Sequence, residues 1–276
     1  VSRSVEQGVA VTLQAATASR RAWWSSVTPL SIPLPRMNGS IWRSGLAMII
    51  TLDGPAGAGK SSTARRLAAR LGWCYMDTGA MYRAVALAAL NKGVPLTDQE
   101  GLATLAGSLP IRFVDGRVEL DGIDISTEIR TDRITTATRP VADAPPVRQA
   151  MKQLQRSMAQ QINVVTEGRD QGSVVFPSAP LKVFLVASPE ERARRRHGEQ
   201  AGRPGVGPTV AEILESQTQR DEGDRSRPVG AMRAADDAVV IETDGLTLEQ
   251  VVEQILELAR GRGLTSAAKT PSQDRP

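Results

Sequence analysis

The sequence predicts an α/β fold: a five-stranded parallel sheet carrying a glycine loop, with a small antiparallel insert and a lid. Three observations predict it. Short apolar runs alternate with helical segments from residue 48 onward. The first run passes through a glycine-rich loop straight into a helical segment. A stretch punctuated by Asp-Gly pairs breaks that rhythm within about 95–145.

The apolar runs are 48–52, 73–76, 162–166, 181–187 and 238–241. They lack polar alternation, which suits strands covered on both faces and therefore parallel pairing. The segments 62–71, 81–91, 146–161, 189–197, 209–220 and 247–260 between and after them predict helices.

The first strand and helix enclose the motif around which the chain is organised, MIITLDGPAGAGKSSTARR at 48–66. Gly54, Pro55, Ala56, Gly57, Ala58, Gly59, Lys60 and Ser61 form GxxxxGK[ST] in its required context of strand, loop and helix. Glycines let successive backbone N–H groups turn inward onto phosphate oxygens, and the helix that follows adds its positive end. Lys60 is expected to reach the β- and γ-phosphates, with the Ser61 hydroxyl a ligand of Mg²⁺ and Ser62 beside it. The motif predicts binding of a nucleoside triphosphate. With five strands and this loop after the first, the layout is that of a small P-loop kinase.

Between the second and third runs, Ile111–Val114, Arg117–Leu120 and 123–125 are joined by Asp115-Gly116 and Asp121-Gly122. Asp-Gly between apolar runs is a strong hairpin signal. Further on, GEQAGRPGVGP at 198–208 follows a helix end dense in Arg192, Arg194, Arg195 and Arg196. Glycine and proline at that density mark a mobile loop, and arginines beside it suit a lid over a nucleotide. The alternative is a solvated charged face. His197 has no partner in the sequence and reads as a surface residue.

Composition narrows the functional classes. The 276 residues suffice for one domain with insertions, and the single cysteine, Cys74, provides neither a disulfide framework nor a zinc cluster. Lying among Trp73, Tyr75 and Met76, it reads as a structural thiol. No run approaches the about 18 apolar residues of a membrane span, and a cytoplasmic setting is expected. The basic balance is local: residues 1–47 hold five arginines against Glu6, leaving 29 basic and 29 acidic residues in 48–276. The body has no nucleic-acid footprint. The leader also holds Trp23, Trp24 and Trp42, three of the four tryptophans, and shows no sustained periodicity. It reads as a transit segment, a flexible tail or an upstream stretch, with Met37 and Met48 as possible starts. The expectation is that 1–47 are dispensable: a chain of 48–276 should stay soluble and as active as the full length.

Three arginine constellations suit a second anionic substrate. Met76-Asp77-Thr78-Gly79-Ala80-Met81-Tyr82-Arg83 follows the second run, where ligands of parallel sheets lie; Thr78 is placed to cap the helix. EGRDQG at 167–172 follows the third run, and RDEGDRSR at 220–227 closes the set. Transfer between two polyanions requires their repulsion to be cancelled, and arginine does this with a bidentate fork that keeps its charge.

On these residues the sequence resembles the bacterial cytidylate kinases of the nucleoside monophosphate kinase family. The resemblance runs from 48 to about 260. It is carried by LDGPAGAGKSS, DTGAMYR, GIDISTEIR, Pro146-Val147-Arg148, EGRDQGSVVFPSAPLKVFL, ERARRR and RDEGDRSR. The resemblance implies one kinase domain over 48–265, with a substrate-binding insert at about 95–145, a lid at about 190–208 and a tail at 266–276. It implies Mg²⁺-dependent transfer of the ATP γ-phosphate to CMP or dCMP by a monomer. Arg83, Arg169 and Arg227 would hold the acceptor phosphate, with Thr78 nearby. Arg148 and Asp170 would read the cytosine edge, and Arg220 and Asp224 would meet the sugar. Arg192, Arg195 and Arg196 would cover the ATP phosphates, Lys60, Arg169 and Arg195 being the catalytic cations. Asp53 is either a holder of hydrated Mg²⁺ or a structural carboxylate.

The chain departs from the family where Arg139 stands in place of a serine that helps bind the base. Gln171 and Ser173 also replace a hydrophobic residue and a threonine, and the lid is rich in glycine and proline. Rival acceptors are UMP, AMP, shikimate and dephospho-coenzyme A; the hairpin insert and RDEGDRSR argue against them. A nucleotide-dependent switch is a further rival, but no N-K-x-D pattern is present, since Asn91-Lys92-Gly93-Val94 lacks the aspartate.

Overall fold

A computed structural model describes residues 47–114, 116–200 and 207–265. The leader up to residue 46, the tail from 266, Asp115 and the centre of the predicted lid (201–206) lie outside the described residues.

The five apolar runs form one parallel sheet. Its strands are β1 (Ile49–Asp53), β2 (Cys74–Asp77), β6 (Val164–Glu167), β7 (Leu181–Val186) and β8 (Val239–Glu242), in the order β2-β6-β1-β7-β8. Consecutive residues of one strand serve opposite faces, as the pleat requires. Val164 packs into the apolar cluster that contains Met81, Leu102, Ile134 and Met151, while Val165 packs with Leu67, Leu185 and Ile255. Both faces are thus covered, which accounts for the absence of polar alternation.

Helix α1 (Lys60–Leu71) follows the glycine loop and ends at Gly72, whose φ of 66° supplies the left-handed cap. Helix α2 (Thr78–Lys92) is buried on nearly every side, because sheet and insert enclose it. Its cap differs from the expectation. The Asp77 carboxylate accepts from Ala80 N at 2.8 Å, whereas the Thr78 hydroxyl donates to Glu167 O at 2.7 Å. Thr78 ties two strand ends together instead of capping.

The insert holds more than the hairpin. Strands β3 (Ile111–Val114), β4 (Arg117–Leu120) and β5 (Ile123–Asp124) form the expected antiparallel sheet. At the β4–β5 turn, Asp121 and Gly122 take φ of 54° and 77°, as a tight two-residue turn demands. Two helices flank it, α3 (Gln99–Ser108) and α4 (Asp132–Asp143). Pro140 and three threonines give α4 a weak local signal. Burial of Ile134, Ala137 and Val141 holds it.

Helix α5 (Pro145–Met158) begins with two prolines, whose missing N–H groups cost nothing in a first turn. Helix α6 (Pro189–Gln200) and helix α7 (Val210–Ser226) border the predicted lid, and α8 (Leu248–Gly261) closes the fold. Thr209 and Glu212 form a capping box at the start of α7. That helix runs six residues past its predicted end, so most of RDEGDRSR is helical. Arg220 and Asp224 are one helical turn apart on it.

Candidate active site

The carboxyl ends of the strands, where ligands of parallel sheets lie, bring the predicted clusters together: Glu167 meets Ser61 and Thr78, and two residues on, Arg169 is joined through Asp224 to Arg227. Gly54 leaves β1 at φ 140°, and a Cβ there would stand 2.1 Å from Leu185 O of the neighbouring strand. Only glycine permits this approach. Lys60 opens α1, is 5 % exposed, and donates from Nζ to Pro55 O at 2.7 Å. Its side chain is therefore folded over the inside of the loop. Ser61 and Ser62 follow at the exposed start of the helix.

Two further groups brace the loop. Arg192 Nη1 donates to Ala56 O at 2.9 Å and to Asp221 Oδ2 at 2.6 Å, while Ala56 N donates to Asp221 Oδ1 at 3.3 Å. Both side chains are buried, Arg192 at 5 % and Asp221 at 2 % exposure. Arg192, expected at the ATP phosphates, thus lies against the phosphate loop, held there by Asp221, to which the sequence alone assigns no role.

Of the other lid arginines, Arg195 reaches Glu191 at 2.9 Å and donates to Thr243 Oγ1 and O at 2.9 and 2.6 Å. Its Nη1 is 3.9 Å from where a Cβ on Gly59 would stand, so it borders the loop. Arg196 is exposed, pairs with Glu199 at 3.0 Å, and its charge acts on Arg83.

Asp53 is resolved by its partners. Its Oδ1 accepts from Gln171 N at 2.9 Å and its Oδ2 from Gly172 N at 2.7 Å. Both oxygens hold the π-helical turn Gln171–Val175, which gives Asp53 a structural role. Burial pushes its pKa up to about 7 despite those two bonds. Replacing Asp53 by alanine orphans two buried N–H groups and is expected to cost about 2–6 kcal/mol, readable by urea denaturation.

The carboxylate that faces the loop is Glu167, which the sequence reading quoted within EGRDQG but gave no role. Ser61 Oγ donates to Glu167 Oε1 at 2.9 Å, and Asp77 stands opposite it in the parallel register of β2 and β6. Burial, then the Asp77 charge, raise the Glu167 pKa. Hydroxyl and carboxylate oxygens at the phosphate loop are the hard donors that Mg²⁺ prefers. The available signal was its position beside the loop strand, Leu52 pairing with Glu167.

Burial, then the Arg169 charge, lower the Lys60 pKa from 10.5 to about 7. Above that pH the empty site holds a largely neutral amine, and an incoming triphosphate restores the ammonium. ATP binding at pH 8 is therefore expected to take up a proton, with affinity falling as pH rises from 7 towards 10. Titration calorimetry in buffers of different ionisation enthalpy measures this; zero uptake would contradict it.

The acceptor arginines lie across the crevice. Asp224 binds Arg169 Nε through Oδ2 and Arg227 Nη2 through Oδ1, both at 2.7 Å. Burial opposes ionisation of Asp224, but Arg169 and then Arg227 hold its pKa below the ordinary value. Arg83 donates to Thr135 Oγ1 at 2.7 Å and to Ile129 O at 3.1 Å. Arg220 makes no hydrogen bond or ion pair among the described residues. Although its side chain keeps exposed surface, burial on its protein side, then the Arg169 charge, push its pKa down to about 10. Such crowding of cations around one carboxylate suits the reception of an anion.

Arg148 and Asp170 form a pair at 2.6 Å, 6 % and 8 % exposed. Tyr82, Val174, Val175 and Val229 line a small cavity beside it. Arg148 Nε is buried without a partner, a donor left over for a ligand. Arg139 lies on α4, its Nη2 3.6 Å from where a Cβ on Gly223 of α7 would be.

A phosphate loop on a parallel sheet, a buried lysine, and an opposed set of arginines around a second pocket define a P-loop phosphotransferase with an anionic acceptor. Comparison with known proteins narrows the class. A family model described as Cytidylate kinase matches residues 50–261. The cytidylate kinase of Rhodopirellula baltica is 50% identical over 227 residues, covering 82% of this chain and 99% of that protein. Those of Azotobacter vinelandii and Chromobacterium violaceum are 43% and 44% identical, covering 79% and 76% of this chain and 97% and 94% of those proteins. The chain belongs to the cytidylate kinase family.

Proposed function

We propose that the crevice transfers the γ-phosphate of ATP to CMP or dCMP, giving ADP and CDP or dCDP. The observation that carries the reading is the adjacency of two anion sites: Ser61 of the loop is bonded to Glu167, two residues from Arg169, which Asp224 joins to Arg227. Loop N–H groups and Lys60 face one polyanion; Arg83, Arg169, Arg220 and Arg227 face the other. Lys60 holds the transferring phosphoryl group from the donor side and Arg169 neutralises it from the acceptor side. Arg195, bordering Gly59, adds a third cation, and Arg196 adds charge towards Arg83. Arg148 and Asp170 read the base, while Arg220 and Asp224 meet the ribose. Arg139 faces α7 at Gly223.

Ser61 and Glu167 are the residues that would hold Mg²⁺. Held there, such an ion would supply positive charge that screens the phosphates. The family implies ATP and a divalent metal, and the donor set fits magnesium. Among the described residues no helix is long and apolar enough to cross a membrane. We place the enzyme in the cytoplasm as a monomer, with its kinase domain over 48–265.

The test is ADP release from Mg·ATP with CMP, dCMP, UMP, AMP or shikimate as acceptor. Turnover on CMP and dCMP well above the other three is expected. Preference for UMP or AMP would displace the base reading, and silence on all five, with ATP still bound, would leave a nucleotide-dependent regulator.

A further inference from the structure

We propose that Asp143, on the insert helix α4, is a positioning residue for Arg227 and through it for the acceptor phosphate. The inference rests on the reading of Arg227 as a phosphate ligand. Thr135, Arg139 and Asp143 are spaced by four and so lie along one face of α4. All three point to the acceptor set. Thr135 Oγ1 takes Arg83 Nη1 at 2.7 Å, Arg139 lies against Gly223, and Asp143 Oδ1 takes Arg227 Nε at 2.7 Å.

Arg227 follows the last residue of α7 and would otherwise be held at one point only, Nη2 on Asp224 at 2.7 Å. With Asp143 on Nε, two carboxylates from two elements fix the plane of the guanidinium. Its Nη1 makes no hydrogen bond among the described residues. Because a guanidinium binds phosphate through a planar fork, fixing that plane decides whether the fork is aimed. The carboxylate is 47 % exposed, so the ion pair adds little to folding. Its consequence is orientation. The contact also joins the insert to the end of α7.

The experiment is initial-rate kinetics on the full chain, varying CMP and ATP separately. Asp143→Ala is expected to raise KM for CMP about fivefold, with KM for ATP and the melting temperature unchanged. Asp143→Glu should bring the CMP value back towards wild type, which a merely structural role would not require. In an Arg227→Ala background, Asp143→Ala should add nothing. An unchanged or lower KM for CMP in Asp143→Ala overturns the inference, as does a full additional effect in that background. If Arg227→Ala alone leaves KM for CMP unaltered, the acceptor reading of Arg227 falls and takes the inference with it; a rise there without one in Asp143→Ala sinks the inference alone.

Discussion

Lys60→Ala is expected to lower kcat/KM for CMP phosphorylation by on the order of 10³-fold, the scale of losing one charge-stabilising group in a water-poor site. Lys60 sits at the start of α1, 5 % exposed, with Nζ held over the loop by Pro55 O. Three neighbouring cations already have posts: Arg192 braces Ala56, Arg195 is bound to Thr243, and Arg169 is tied to Asp224. None of these three is free to move across. Lys60→Arg should rescue little, because the loop encloses a point charge and has no room for a planar fork. Circular dichroism should show an intact fold, and a loss below tenfold in a folded variant would mean that the loop does not cradle the transferring phosphate.

Asp170→Asn is expected to shift the ratio of kcat/KM for CMP to that for UMP by on the order of 10²-fold towards UMP. A carboxylate accepts from the amino group of cytosine but faces the uracil oxygen with no proton between them. Asparagine offers that oxygen a donor. Stability should fall too, because Arg148 loses its charged partner at 2.6 Å in a buried setting, a break that costs about 3–5 kcal/mol. Assays therefore belong well below the reduced Tm. If CMP and UMP lose activity in equal proportion, Asp170 supports the pocket without reading the base.

Much of this was legible in local chemistry. The loop motif announces its own fold, since its glycines are needed wherever backbone approaches phosphate, or, at Gly54, a neighbouring strand. Double-faced burial makes parallel strands read as plain apolar runs. The Asp-Gly turns located the small sheet. Helix α4 was hidden because threonines and Pro140 give little helical preference, and only packing against the rest of the insert compensates. The extension of α7 was hidden by Gly223, a residue that reads as a break and here gives Arg139 a flat surface to lie on.

The sequence by itself determined which strands form the sheet, that a phosphate-loop motif at 54–61 joins the first strand to its helix, and that arginines gather at strand ends. Tertiary structure decided what each charge is for. Arg192 contacts Ala56, Asp53 holds the turn after Asp170, Glu167 meets Ser61 at the loop, and Asp143 pairs with Arg227. The physical reason is that a strand, a turn or a phosphate loop is fixed by neighbours in the chain. An ion pair is chosen among many arginines and acids by distance and burial, and the partners lie 22 residues apart in Arg148–Asp170, 29 in Arg192–Asp221 and 84 in Asp143–Arg227.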